Sequence, residues 1–393
     1  MTKANPSTRK LVFCVHQSYQ HRRRLPDLMS HLAVTFGSTL ELGIISRMPC
    51  YSPSSVERFL DKFDCPIKIA DPEVYRREIC YASDKPFANK HNYSYLSSPL
   101  PQRRQTKAWV KTILDFQRSA GATVFLSPSV LLKAINPLSE IQQNIEWIRT
   151  SLEMADGPLL ANLTLTHTWL VDESLRNLLL NELTDLPADA FYIRVLWPGL
   201  TPRYGQLAQP DILQGYRQIM EALSAEDKEV ILPTVALTGW LCSALGVGGF
   251  SLGPSRDQQA FVVEPVIRRQ KGNKSPARRS RYFEPELMHI VDLETHDLLA
   301  EEGRVSDCTC PYCRELEAGN PGRSTWDAEA ASLHYITNAA HMTSYLTRGN
   351  PLALAQARVR KAQKLLDSLD RTLRPQGENV PRHLGVWARV LQR

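Results

Sequence analysis

Residues 158–196 read PLLANLTLTHTWLVDESLRNLLLNELTDLPADAFYIRVL. Two apolar runs, PLLANLTL (158–165) and AFYIRVL (190–196), flank ESLRNLLLNEL (173–183). In the middle run apolar residues recur every three to four positions, the spacing of one helix face. Strand, helix and strand in succession make a βαβ unit, which pairs its strands in parallel.

The unit recurs along the chain. LVFCV (11–15), LELGII (40–45), PIKIA (66–70), ATVFL (122–126), EVILPTVAL (229–237) and VGGFSL (247–252) also read as strands. Between them lie the helix-periodic stretches SSVERFLDKF, QTKAWVKTILDFQRS, IQQNIEWIRTSLEMA and ILQGYRQIMEALSA. Eight strands alternating with helices predict an α/β fold, and the number eight favours a closed (β/α)8 TIM-type barrel over an open sheet. No GxGxxG or GxxxxGK[ST] follows an early strand, so a nucleotide-binding open sheet has no support. The rhythm stops after residue 252. The expected organisation is a barrel over 10–265, a basic loop and metal-binding subdomain over 266–350, and a helical C-terminal extension over 351–393.

The chain of 393 residues is 43% hydrophobic and 22% charged, ordinary for a globular protein with a large core. No apolar run approaches the ~18 residues of a membrane span. The N-terminal apolar stretch is too short for a signal peptide, so a cytoplasmic chain is expected. Cys14, Cys50, Cys65, Cys80 and Cys242 are scattered and read as reduced thiols. The net charge is +6. RRQKGNKSPARRSR (268–281) carries Arg268, Arg269, Lys271, Lys274, Arg278, Arg279 and Arg281 and no acid. Such a segment either contacts the phosphates of a nucleic acid or is a solvated loop. HRRR (21–24) and PQRRQTK (101–107) add weight to the first reading. The polar segment 83–106 reads as a long loop after the third strand, on the face where barrel active sites lie.

CTCPYC (308–313) gathers three of the eight cysteines. Thiolates this close suit one soft cation, and zinc takes four ligands in a tetrahedron. No cysteine follows Cys313, so a histidine must complete the set. His334 and His341 both lie in SLHYITNAAHMTSYL, about two helical turns apart and on one face. Four protein ligands make a closed, structural site. On strand five, Asn162, Thr164 and Thr166 share one face by period two, with His167 after them.

Barrel rhythm followed by Cys-x-Cys-x2-Cys and a helical histidine resembles the tRNA-guanine transglycosylase family. The text RYFEPELMHIVDLETHDLLAEEGRVSDCTCPYC is similar to that family's, and His341 followed by Met-Thr-Ser-Tyr345 loosely matches its His-Asn-Leu-x-x-Tyr. The resemblance implies a structural zinc held by Cys308, Cys310, Cys313 and His341. It also implies exchange of guanine for a 7-deazaguanine on a nucleic acid, tRNA or DNA, through two carboxylates. Divergent members of the family act in DNA modification and phage defence, and members commonly dimerise near the zinc. The first aspartate maps to Asp71, at the end of the third strand, although Pro72-Glu73-Val74 replaces the family's Ser-Gly-Gly. On the residues alone, Asp71 before Pro72 also reads as a helix cap. Ser251, after Phe250, stands where the family has its nucleophilic aspartate, and Asp257 is the nearest carboxylate that follows. The family's Gly-Gly-Leu/Val base-recognition run is absent. Arg194 and Trp197 take its place as candidates for ligand contact, with Asn162 and Ser251. Three expectations stay open, a divergent base exchanger, a non-catalytic module that binds a deazapurine, a nucleic acid or a partner protein, and a zinc-stabilised barrel of unrelated chemistry.

Overall fold

The computed structural model describes residues 10–18, 23–79, 93–198, 205–254, 258–262, 280–314 and 326–392. The expected eight-stranded α/β barrel is present. Its wall is built from β1 (Leu11–His16), β2 (Leu40–Arg47), β3 (Ile67–Asp71), β4 (Phe125–Leu126), β5 (Leu131–Leu132), β6 (Leu159–Thr166), β7 (Ala190–Leu196), β8 (Glu229–Leu232) and β9 (Gly249–Leu252). Neighbours run β3-β2-β1-β9-β8-β7-β6-β4, all parallel, and β5 also pairs with β6.

β4 and β5 together serve as one barrel strand broken by a bulge. Phe125 pairs with Leu159 and Leu131 with Thr164, so six steps on one side face five on the other. Serine hydroxyls take over the ladder inside the bulge. Ser127 Oγ accepts from Asn162 N–H at 2.9 Å and Ser129 Oγ accepts from Thr164 N–H at 2.9 Å. ATVFL is therefore only partly strand. EVILPTVAL is likewise cut short at Leu232, because Pro233 donates no hydrogen bond and the helix Ala236–Ala244 starts three residues on.

The ring is nearly closed. Between β3 and β4 there is no ladder, but Thr123 N–H and Val124 N–H both donate to the Lys68 carbonyl, at 2.9 and 3.3 Å. Lys68 N–H donates to Thr123 Oγ1 at 2.8 Å. Gln117, buried on the helix Thr106–Ser119, clamps Leu126 with its amide, donating to the carbonyl and accepting from the N–H at 2.8 Å each.

Inward positions follow period two. The lower interior is apolar, with Val12, Cys14, Ile45, Ile67, Ile69, Leu160 and Ile231 in one cluster. The upper interior, at the C-terminal strand ends, is polar. Elsewhere the helix Ala236–Ala244 lies so close to β9 that a Cβ on Gly239 would meet the Phe250 ring at 2.4 Å.

β10 (Arg281–Glu284) and β11 (His289–Asp292) form an antiparallel hairpin, followed by the helices Leu293–Glu301, Ala328–Leu346, Pro351–Ser368 and His383–Gln392. Asp327 caps the second of these from Ala330 N–H at 2.8 Å, and Asn350 caps the third from Ala353 N–H at 3.0 Å. One apolar core runs from Phe13 through Leu333 and Ile336 to Val359 and Trp387, so barrel and C-terminal helices share their interior. Among the described residues no helix is long and apolar enough to cross a membrane.

Candidate functional site: a polar barrel mouth and a three-cysteine, one-histidine cluster

Asp71 closes β3 at the top of the barrel, fully buried. Its Oδ2 pairs with Arg194 Nη2 from β7 and accepts from Tyr192 O–H at 3.1 Å. Its Oδ1 accepts from Glu73 N–H at 3.0 Å. Asp71 does not cap a helix: its carboxylate crosses the barrel. Glu73, two residues on, is also buried and is held by Arg47 Nε at 2.9 Å, by Tyr75 O–H at 2.8 Å and by Arg76. Burial pushes the Glu73 carboxyl above its ordinary range, with the Arg47 charge pulling the other way.

Arg194 is enclosed by rings, with its guanidinium 4.6 Å from the Tyr75 centroid, 5.3 Å from Tyr192 and 5.8 Å from Phe261. Its Nε and Nη1 have no hydrogen-bond partner, although the side chain is 0% exposed. Beside it on β6, Asn162 Oδ1, Thr164 Oγ1 and Thr166 Oγ1 are also buried without partners. Thr164 is the direct neighbour of Arg194 across the ladder, and Asn162 that of Tyr192. Buried donors and acceptors left over in one place, walled by aromatic rings, form a seat for a polar ligand or ordered water.

Ser251 lies on the other side of the mouth. Its Oγ is 2.7 Å from His16 Nε2 and accepts from Thr234 N–H at 2.9 Å. Backbone strain gathers at this end. Glu73, Ala134, Thr234 and Ala236 have φ of 40, 63, 58 and 44°, and each lies just past a strand's C-terminal end. Such strain persists only where the surroundings enforce it, and it concentrates at functional sites. A recess of about 540 Å³ opens at the opposite end, lined among others by Glu41, Ile67, Leu160, Asp189 and Glu229. That is the bottom face of a barrel, away from the polar mouth.

The structure thus gathers Asp71, Arg194, Asn162 and Ser251 at the mouth. It does not bring Trp197 there. The Trp197 indole donates to Tyr216 O–H at 3.0 Å on the helix Pro210–Ala225, outside the wall. Asp257, with Arg268, Arg269, Lys271, Lys274, Arg278 and Arg279, lies outside the described residues. Arg281 is already engaged, with Asp292 at 3.0 Å, Glu378 at 2.8 Å and Asn379 at 3.1 Å, so its charge is spent on the hairpin rather than held out for phosphate.

The second centre corrects the histidine. Cys308, Cys310, Cys313 and His334 bring their ligand atoms within 4.8 Å of one another and can hold a metal ion. His334 Nδ1 lies 3.3 Å from Cys310 Sγ and from Cys313 Sγ. His341, two turns further along the helix, instead packs its ring against Phe36, with centroids 6.0 Å apart. The His334 ring is oriented from behind, where Nε2–H donates to the Phe283 carbonyl at 2.8 Å and leaves the Nδ1 lone pair facing the thiols. Tyr282 O–H, 3.6 Å from Cys313 Sγ, and Asn338 Nδ2, 3.6 Å from Cys308 Sγ, are donors suited to thiolates. Cys308 is held well below the usual thiol range by the thiols of Cys310 and Cys313. Burial would lower His334, but the bonds to Cys308 and Cys310 hold it at about 9. Both shifts arise from the thiols and the imidazole crowding one another, and a metal ion held here would require the imidazole neutral and the thiols deprotonated.

Sequence reasoning missed His16, Glu73, Tyr75 and Tyr192. Tyr192 was available from strand parity with Arg194, whereas the others become visible only once the strand ends meet. No protein-family model matches the chain, and no curated protein matches it.

Proposed function

We propose that this chain is a transglycosylase-like barrel that seats a planar, guanine-type base in its C-terminal mouth and works on a nucleic acid, in modification or defence against phage. The observation that supports it is the cluster of unpartnered buried atoms on Arg194, Asn162 and Thr164 beside Asp71. A guanine or 7-deazaguanine offers the needed acceptors and donors on one edge and a flat face for Tyr75 and Phe261. The metal centre takes structural Zn²⁺, since three thiolates and one imidazole saturate its tetrahedron. A reducing cytoplasm suits these thiols and the unpaired Cys14 and Cys242.

One observation favours holding the base over cleaving a glycosidic bond. Both buried carboxylates of the described mouth are neutralised by arginine, and Ser251 with His16 stands where the family has its nucleophile. A single experiment separates the two readings. Labelled guanine and 7-deazaguanine are offered with tRNA, duplex DNA or single-stranded DNA, and free-base binding is measured by calorimetry. Incorporation lost in Asp71→Asn supports exchange. Saturable binding weakened in Thr164→Val, without incorporation, supports the holding module. Binding of neither base overturns the reading.

A further inference from the structure

Charge in this chain is unevenly placed. Residues 348–393 hold ten Lys and Arg against Asp367, Asp370 and Glu378, a net +7, while the whole chain is only +6. Residues 1–347 are therefore close to neutral in sum, and the last helices are a basic part of the molecule alongside the segment 268–281.

The structure shows how those charges are presented. On the helix Pro351–Ser368, Val359, Ala355 and Ala362 face the core. Ala353, Ala357, Arg360 and Lys364 fall within one narrow stripe on the opposite, exposed side at 100° per residue. Alanines leave the stripe flat, and the two cations stand one turn apart. Arg371 and Arg374 follow as exposed residues in the turn beyond the helix. None of these four cations pairs with a carboxylate among the described residues. This differs from Arg358 and Lys361, which are tied to Glu286 at 3.7 and 2.7 Å. On the preceding helix, Ala328–Leu346, Tyr345 is 42% exposed, a large aromatic with the Arg348 guanidinium 5.6 Å over its ring. From Pro351 to Lys364 the helix runs about 20 Å at helical rise.

We propose that this stripe, Tyr345 and Arg348 through Arg360 and Lys364 to Arg371 and Arg374, is a docking surface for a nucleic-acid backbone. Unpaired cations spaced along a flat face match a row of phosphates, and an exposed aromatic under a guanidinium supplies a stacking platform. The exposed apolar side chains of the stripe, Ala353 and Ala357, are too small for the membrane-inserting face that bulky Leu, Phe or Trp would supply. The inference rests on the reading that the protein works on nucleic acid, but not on the identity of the base in the mouth.

The test is the salt dependence of binding. The metal-loaded protein is titrated into a fluorescent 20-base-pair duplex and a tRNA between 50 and 300 mM salt by anisotropy. It is compared with a variant carrying Arg360→Gln, Lys364→Gln, Arg371→Gln and Arg374→Gln. The expected result is that the slope of log K against log salt loses about 3 in magnitude, as for about four released counterions. A control with the same charge change at exposed Lys10, Arg58, Lys62 and Arg149 should keep most of the slope. Equal slopes in wild type and stripe variant, with thermal melting and metal content unchanged, overturn the proposal. So does binding to phosphatidylserine vesicles with none to either nucleic acid. Free-base calorimetry on the stripe variant separates this from failure of the mouth, since base binding should be unchanged there.

Discussion

Asp71 and Arg194, 123 positions apart in sequence, meet in the dry centre of the barrel mouth as an ion pair in which neither side chain has exposed surface. β3 and β7 are separated by β4 and β6 on the short way round the ring, so the pair reaches across the barrel mouth. A buried pair of this kind costs much to desolvate, and breaking it leaves one charge stranded.

Arg194→Met should therefore lower unfolding free energy by about 3–5 kcal/mol, through the uncompensated Asp71. Adding Asp71→Asn should restore a large part of that loss. Urea unfolding of the two single variants and the double variant checks this. A double variant as unstable as the sum of the two singles would show the residues acting separately.

Metal content should follow His334, not His341. His334→Ala and Cys310→Ser should fall below stoichiometric zinc and lose thermal stability, and a chelator should do the same to the wild type. His341→Ala should retain its metal, because that ring packs on Phe36. Elemental analysis after gel filtration reads both outcomes.

Acid should loosen the C-terminal helices. His383 is fully buried, and burial first, then neighbouring His289, holds its pKa well below the ordinary value. Its Nε2 has no partner. The folded state thus binds fewer protons than the unfolded chain once pH drops below about 6.5. Stability is fully present above that pH and should fall by up to about 1.4 kcal/mol per unit below it. His383→Leu should flatten the profile between pH 6.5 and 4.5, measured by denaturant unfolding.

Lys228 ends a helix that it does not belong to. Its ammonium donates to the carbonyls of Leu183, Thr184 and Leu186 at 3.0, 2.8 and 2.6 Å, closing the C-terminus of the helix Glu173–Thr184. Lys228→Met should cost about 1–3 kcal/mol, the price of partly buried carbonyls left without a charged donor. Thermal melting of the variant checks the size of the loss.

The barrel was legible because parallel strands buried on both faces are short apolar runs, and helices between them carry a different period. PLLANLTL and AFYIRVL correspond to β6 and β7 with little error. The bulge at 127–130 was not legible, since its hydrogen bonds come from serine side chains. Cysteine spacing located the metal centre, but choosing between His334 and His341 depended on where the Cys segment meets the helix. The two sit on one face, about 10 Å apart along the axis, and only one is at the right height. Parity could have excluded Trp197 earlier, because residues 194 and 197 differ by an odd number and cannot both face the axis. His16 and Ser251 come from the first and last strands of the barrel, and only closure of the ring brings β1 beside β9.

The junction of β3 with β4 leaves the cylinder with a clasp. Elsewhere each wall strand is zipped to its neighbour along a ladder, but here the Lys68 carbonyl and the Thr123 hydroxyl do the joining. A ring fastened at a single point opens at that point first. The amide protons of Thr123 and Val124 should thus trade with solvent deuterium earlier than those of β1 or β7, and breathing of the whole barrel should start on this side.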